Sequence, residues 1–200
     1  IMGSAELLQN GLVKPEDQAA FVARIHDEAA RLVTLIEDII RLSQLDEGVS
    51  LPAENVALLP LAQETVRGLH DAAEAKNVTM TVTGEDITVQ AARRLLSEVL
   101  YNLCDNAIKY NVTGGSVTVD VSRCGDSAML TVADTGIGIP PEHQSRVFER
   151  FYRVDKSHSR QSGGTGLGLS IVKHAVSDLG GGIHLESTPG QGTTIRVTVP

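Results

Sequence analysis

The sequence has no tryptophan, and only three phenylalanines and three tyrosines in 200 residues. So few rings exclude a base-stacking platform or an aromatic sugar cleft as the main binding surface. Basic residues are outnumbered, 17 against 25 acidic, for a net charge of -8. That balance excludes the broad cationic face of a protein that tracks nucleic-acid phosphates, although an acidic protein can still hold a phosphate ligand locally. The two cysteines, Cys104 and Cys124, have no cysteine or histidine at ligand spacing, so they make neither a disulfide framework nor a zinc site. Both are expected to be buried, reduced thiols of a cytosolic protein. No run approaches the roughly 18 consecutive apolar residues of a membrane span, and no basic region leads into an apolar core at the N-terminus. What the chain does have is 42% apolar residues, enough for a real core, and 19 glycines, several of them clustered.

From Pro15 to about Leu45 the pattern is that of one long helix. Pro15 suits a first helical position, Glu16 and Asp17 suit the positive end of the helix dipole, and Gly48 lies just past the end. Val22, Ile25, Ala29, Leu32, Ile36 and Ile39 alternate spacings of three and four, the seam of a coiled coil or bundle, and Leu35, Ile40 and Leu42 widen it. Only the short segment before Asn10-Gly11 is at hand to cover this stripe, so two copies are expected to join as a four-helix bundle; the alternative is a helix folded onto its own domain. Residues 1–47 form this helical unit, which starts abruptly, as a fragment would. Residues 48–54, with Gly48, Ser50 and Pro52, read as a linker, and residues 55–200 as a second domain.

That domain reads as a helix over Leu58 to Ala75, strands at Val78 to Thr83 and Ile87 to Val89, and a helix from about Ala92 to Tyr110. Strands at Ser116 to Ser122 and Ala128 to Ala133 follow, then a long irregular stretch, a helix from near Leu167, and strands at Ile183 to Ser187 and Thr193 to Val199. Valines and threonines alternate with period two, so each strand has one buried face. The fold class is α+β, a two-layer α/β sandwich preceded by a helical hairpin.

Three segments carry chemistry. On the helix around residue 100, Glu98, Asn102, Asp105, Asn106 and Lys109 share an arc of roughly 100°, opposite Leu96, Val99, Leu100, Leu103, Cys104 and Ala107. Two asparagines one turn apart disfavour a helix, yet they offer a neutral oxygen to a hard cation and N–H donors to phosphate. The second segment, Asp134-Thr135-Gly136-Ile137-Gly138-Ile139-Pro140, follows an apolar strand. Its glycines permit a sharp turn close to a flat ligand, and its carboxylate accepts from an exocyclic amine such as that of adenine. The third, Gly163-Gly164-Thr165-Gly166-Leu167-Gly168-Leu169, opens a helix and presents free amides to an anion. A dinucleotide-binding G-x-G-x-x-G fails here, because position 169 is leucine and no strand of a βαβ unit precedes the glycines. Between the second and third segments, Phe148-Glu149-Arg150-Phe151-Tyr152-Arg153 and the polar run Lys156 to Ser162 have the length of a lid. Its rings would anchor it, and Arg150, Arg153 and Lys156 would reach phosphates on closure.

Together these segments resemble the catalytic part of a sensor histidine kinase, within the Bergerat-fold ATPases. Leu95 to Asn111 is similar to that family's N box, Asp134 to Pro140 to its first glycine box, Phe148 to Asp155 to its phenylalanine box, and Gly164 to Leu169 to its second glycine box. The long helix, ending Leu42-Ser43-Gln44-Leu45-Asp46-Glu47, is similar to the second helix of the dimerisation and phosphotransfer domain. The resemblance implies ATP and Mg²⁺ as cofactors, with Asn102 as metal ligand and Glu98 supporting the metal and its water. It implies Asn106 and Lys109 on phosphates, Tyr110 against the nucleotide, Asp134 on the adenine amine, and Gly136 and Gly138 admitting the base. Gly164, Thr165, Gly166, Leu167 and Gly168 would wrap the phosphate chain, with Glu98, Arg153 and Lys156 as the catalytic set.

The implied activity is transfer of the γ-phosphoryl group to a histidine and then to an aspartate of a response-regulator receiver domain, by a homodimer in the cytoplasm. Nucleic acid is not an expected partner, and membrane contact is expected only through parts of the parent protein outside these residues. One departure matters: the family's His-Glu-x-x-Thr-Pro motif is not among the six histidines, His26, His70, His143, His158, His174 and His184. By family spacing it would fall before Ile1, so this chain is expected to bind ATP without phosphorylating itself. Two rival readings are an ATP-hydrolysing conformational switch, in which Glu98 activates water, and a nucleotide-binding dimeric scaffold or phosphatase module.

Overall fold

A computed structural model of the chain describes residues 1–46, 51–154 and 164–200. Helix α1 spans Met2–Gln9 and helix α2 Pro15–Asp46. They meet at Asn10 and Gly11, where a φ of +64° at Gly11 makes a left-handed residue necessary and glycine the residue that adopts it at least cost. Gly11 and Leu12 donate their amides to the carbonyls of Leu8 and Leu7, closing the hairpin. Most of the seam faces outward: Val22, Leu32, Ile36 and Ile39 are exposed, Val22 by 57%.

The rest of the described chain is two layers. Strands β2 (Thr79–Gly84), β4 (Ser116–Cys124), β5 (Ser127–Asp134), β7 (Gly192–Val199) and β6 (Gly182–Thr188) lie in the order β2-β4-β5-β7-β6. Only β2 and β4 run parallel, and the crossover between them carries helix α5 (Arg93–Lys109) onto one face of the sheet. The valine alternation sets that face, since Val117, Val119, Val121, Leu130 and Val197 are wholly buried. Against it pack Leu96, Val99 and Leu100 of α5 and Val172 and Ala175 of α7 (Gly168–Asp178). Each fully buried aliphatic side chain of this size is worth roughly 1.5–3 kcal/mol. Helix α6 (Pro141–Gln144) sits in the stretch between β5 and α7.

Three expectations need correction. The helix read over Leu58 to Ala75 is two, α3 (Leu58–Gly68) and α4 (His70–Ala75), because the chain turns at Leu69 (φ -101°, ψ 6°) directly after a glycine, a poor helix interior residue. Glu54, read as linker, opens strand β1 (Glu54–Ala57), which pairs antiparallel with β3 (Thr88–Ala91) in a ribbon apart from the main sheet. Four residues with one buried valine carry too little alternation to announce a strand; the partner 34 positions on makes it one. Residues 48–50 of that linker, and residue 47 before it, lie outside the described residues. Cys104 is buried, which pushes its thiol up to about 12, but Cys124 is exposed at the β4–β5 turn rather than buried. No helix among the described residues is long and apolar enough to cross a membrane.

Candidate functional site

The C-terminal half of α5 and the N-terminus of α7 lie side by side and open a cavity of about 1060 Å³. Asn102 sits at its base, almost buried, and its Nδ2 donates to the Glu98 carbonyl at 2.8 Å. That bond leaves Oδ1 turned toward α7, where a Cβ on Gly168 would come within 3.0 Å of it and 3.4 Å of Asn106 Nδ2. Glycine at 168 thus lets the two helices approach with the asparagine pair between them. Lys109, one turn past Asp105, donates to its carboxylate at 2.7 Å and holds a cation at the cavity wall.

The turn after Asp134 is built against the end of this helix. Ile137 donates its amide to the Tyr110 carbonyl at 3.0 Å, and a Cβ on Gly136 would meet that oxygen at 2.3 Å. Gly138, at φ +68°, would meet the Thr188 carbonyl at 2.2 Å. The immediate neighbours that exclude a side chain at these glycines are therefore protein backbone, and Gly136 does not line the cavity whereas Gly138 does. Asp134 closes β5. Its Oδ1 accepts from the amides of Gly136 at 2.8 Å and Thr193 at 3.2 Å, so Oδ2 is the oxygen left for a ligand in the cavity. Burial pushes this carboxyl above the usual aspartate range, and the two amides partly offset that.

The sequence motifs assign no role to Asn111 or Lys76. Asn111 is buried; it donates to the Ser116 carbonyl at 3.0 Å and accepts from Val112, which ties the end of α5 to β4 and to Thr135 beneath the Asp134 turn. Lys76 donates to the Lys109 carbonyl at the α5 C-terminus, lines the cavity and has its pKa lowered by burial. Asn111 closes the N-box segment and invited notice only as its last letter; Lys76 comes from a helix end far off in sequence, with no motif around it.

Of the other expected residues, Asn106, Lys109, Tyr110, Arg153, Gly164, Thr165, Gly166 and Gly168 all line the cavity together with Asn102 and Asp134. Glu98 and Leu167 do not. Leu167 is fully buried and packs with Ile171 and Leu42. Glu98 lies a turn below Asn102 with Arg94 at 3.5 Å from Oε1, while its Oε2 is buried without a hydrogen-bond partner. Lys156 and Asp155 fall outside the described residues.

Of the rings expected to anchor the stretch after β5, Phe148 is half-buried and Tyr152 is held, and the expectation fails for Phe151. Phe151 is exposed, at φ +62°, and it is held by its backbone amide on the Gly166 carbonyl. The anchor is Tyr152, whose hydroxyl lies 2.6 Å from His143 Nδ1 and whose ring sits 4.3 Å under the Arg146 guanidinium. Tyr152→Phe keeps the ring contact and removes the hydrogen bond. Amide exchange of the 143–153 segment should then quicken about 3- to 10-fold with the sheet core unchanged. Equal exchange in both proteins would show that His143 does not hold the lid.

The family described as histidine kinase-, DNA gyrase B-, and HSP90-like ATPase matches residues 91–200, and the His Kinase A (phospho-acceptor) domain matches residues 1–48. The sensor-like histidine kinase SenX3 of Mycolicibacterium smegmatis is 36% identical over 198 residues, covering 98% of this chain and 52% of SenX3. The crystal structure of full-length ShkA in complex with AMPPNP is similar with a TM-score of 0.79 at 26% identity, covering 99% of this chain and 42% of that one. Histidine kinase ThkA, solved in complex with the response regulator protein TrrA, shares the fold with a TM-score of 0.78 at 23% identity, over 99% of this chain and 55% of its own. The chain thus spans about half the length, or less, of SenX3 and ShkA. It belongs to the histidine kinase-, DNA gyrase B- and HSP90-like ATPases, and among them to the sensor histidine kinases of two-component systems.

Proposed function

We propose that this chain is the ATP-binding and phosphotransfer-helix part of a kinase that moves the γ-phosphoryl group of ATP to a histidine nitrogen and then to a response-regulator aspartate. The observation that carries the reading is the single cavity in which Asp134 Oδ2 stands at one side and the Asn102/Asn106 pair faces the glycine segment of α7 at another. A carboxylate for an amine and helix-end amides for phosphates define the two ends of an adenine nucleotide.

Asp134 would orient the base, with Ile137 and Ile139 as apolar walls. Asn106 and Lys109 would hold phosphate oxygens, and Arg153 in the lid would add positive charge. The donor set suits Mg²⁺: Asn102 Oδ1 is a hard neutral oxygen, and one turn away the Glu98 carboxylate, paired with Arg94 through Oε1, keeps a buried Oε2 without a hydrogen bond. Bound there, the ion would neutralise phosphate charge. Few protein ligands are expected, since Mg²⁺ is commonly held by one or two protein oxygens plus the phosphates, and no cluster of three acidic, histidine or cysteine ligands occurs among the described residues. The exposed seam of α2 supports a homodimer through the helical hairpin, with residues 1–47 as that unit and 55–200 as the catalytic domain. A response-regulator receiver domain is the proposed phosphoryl acceptor, in line with the phospho-acceptor domain match.

The test is incubation of the full-length protein with γ-labelled ATP and Mg²⁺. Acid-labile, base-stable label on the protein supports phosphohistidine. Free phosphate alone would point to a hydrolysing switch, and no turnover to a nucleotide-binding scaffold.

A further inference from the structure

Helix α2 forms one wall of the nucleotide cavity. Its Thr34, Glu37, Asp38 and Arg41 line the same space as Asn102 and Asp134. Below them Leu42 is buried with Leu167 and Ile171, and Leu35 packs on the same cluster. At the centre of this contact Asp38, only 7% exposed, accepts from Thr165 Oγ1 at 2.7 Å. The same hydroxyl accepts the Leu167 amide at 3.3 Å. Arg41 stands 4.0 Å from the other Asp38 oxygen, too far for a strong pair.

Two consequences follow for a polyphosphate. The α2 wall contributes two carboxylates and one guanidinium, a net negative charge where an anion must sit. The relay from Asp38 through Thr165 also occupies the Leu167 amide, in the segment whose N–H groups are the natural phosphate ligands. A phosphate oxygen can take that amide only by displacing the hydroxyl, which is pinned by a bond to a buried carboxylate, the stronger kind of hydrogen bond.

We propose that the Asp38–Thr165 bond is a gate: helix α2 and the triphosphate compete for the second glycine segment, so that ATP binding releases α2 from the catalytic domain. This rests on the reading of the cavity as an ATP site. Part of the affinity for the triphosphate is spent on opening the clasp, and the helix that carries the dimer seam is freed only when nucleotide is present.

The experiment compares ATP with adenosine on the 200-residue chain. Asp38→Ala should bind ATP about tenfold more tightly than wild type, the effect of losing one charge-assisted hydrogen bond from the competing state, with adenosine unchanged. Asp38→Asn, which keeps an acceptor for Thr165 but not the charge, should fall between. Fluorophores on Cys124 and on an introduced Arg24→Cys should report a change in energy transfer on adding ATP but not adenosine, and Asp38→Ala should show that change before ATP is added. Equal or weaker ATP binding by Asp38→Ala overturns the gate and leaves the nucleotide site standing, as does a parallel shift for adenosine or an energy transfer that ATP leaves unaltered. Failure of the wild type to bind ATP overturns both.

Discussion

Asp134→Asn is expected to weaken ATP binding about 10- to 100-fold, the cost of one lost hydrogen bond to a charged group. The amides of Gly136 and Thr193 both point at Oδ1. In the variant the amide oxygen must stay there to receive them, which turns the NH₂ group into the cavity. A donor then faces the donor of the adenine amine, while the carbonyl that guanine carries at the same place would be accepted. Preference for ATP over GTP should therefore collapse or reverse in isothermal titration. Undiminished preference would remove Asp134 from base recognition. The pH dependence has a definite sign. The ligand amine needs the ionised carboxylate, and burial has raised this carboxyl above the ordinary aspartate range, so wild-type ATP affinity should fall as pH drops through that raised value. The decline begins at higher pH than an exposed aspartate would give, and the Asn variant should lack it.

The oxygen that Asp134 offers a ligand is not legible in the sequence. Asp134 at a strand end before alternate glycines was visible as a ligand for an amine, but which oxygen remained for it depended on Thr193, which β7 brings alongside from 59 positions away. The same limit applies to Gly136 and Gly138. Read locally they admit a flat ligand; in the fold they also clear the Tyr110 and Thr188 carbonyls. Period-two valines and the asparagine face of α5 were legible because both are local periodicities. β1 was not, since its stability comes from a partner strand, and neither was the break at Leu69, where one glycine outweighed an otherwise helical run. Nor did the pattern show that Asp38 is buried. On a helix written as an outward seam it counts as a solvent-facing residue, and only the docking of α2 on α7 makes it a partner of Thr165.

The larger effect is expected from Asn102→Ala. Asparagine is among the poorer helix formers and alanine the best, so the substitution favours α5 locally by about 0.5 kcal/mol and the fold should persist. The Nδ2 bond to the Glu98 carbonyl is an extra bond on an already helical backbone, and its loss leaves no buried donor behind. What disappears is Oδ1, the neutral oxygen that α5 turns toward Gly168. ATP titrations in Mg²⁺ and in EDTA should differ strongly for the wild type and coincide for the variant, with a loss of about a hundredfold in Mg²⁺, since changes even to supporting groups cost metal sites 10- to 100-fold. Asn102→Asp keeps an oxygen in place and should retain the Mg²⁺ dependence. If Asn102→Ala keeps it as well, the ion is held without this residue, and Glu98 with its buried, unpartnered Oε2 becomes the ligand to test next.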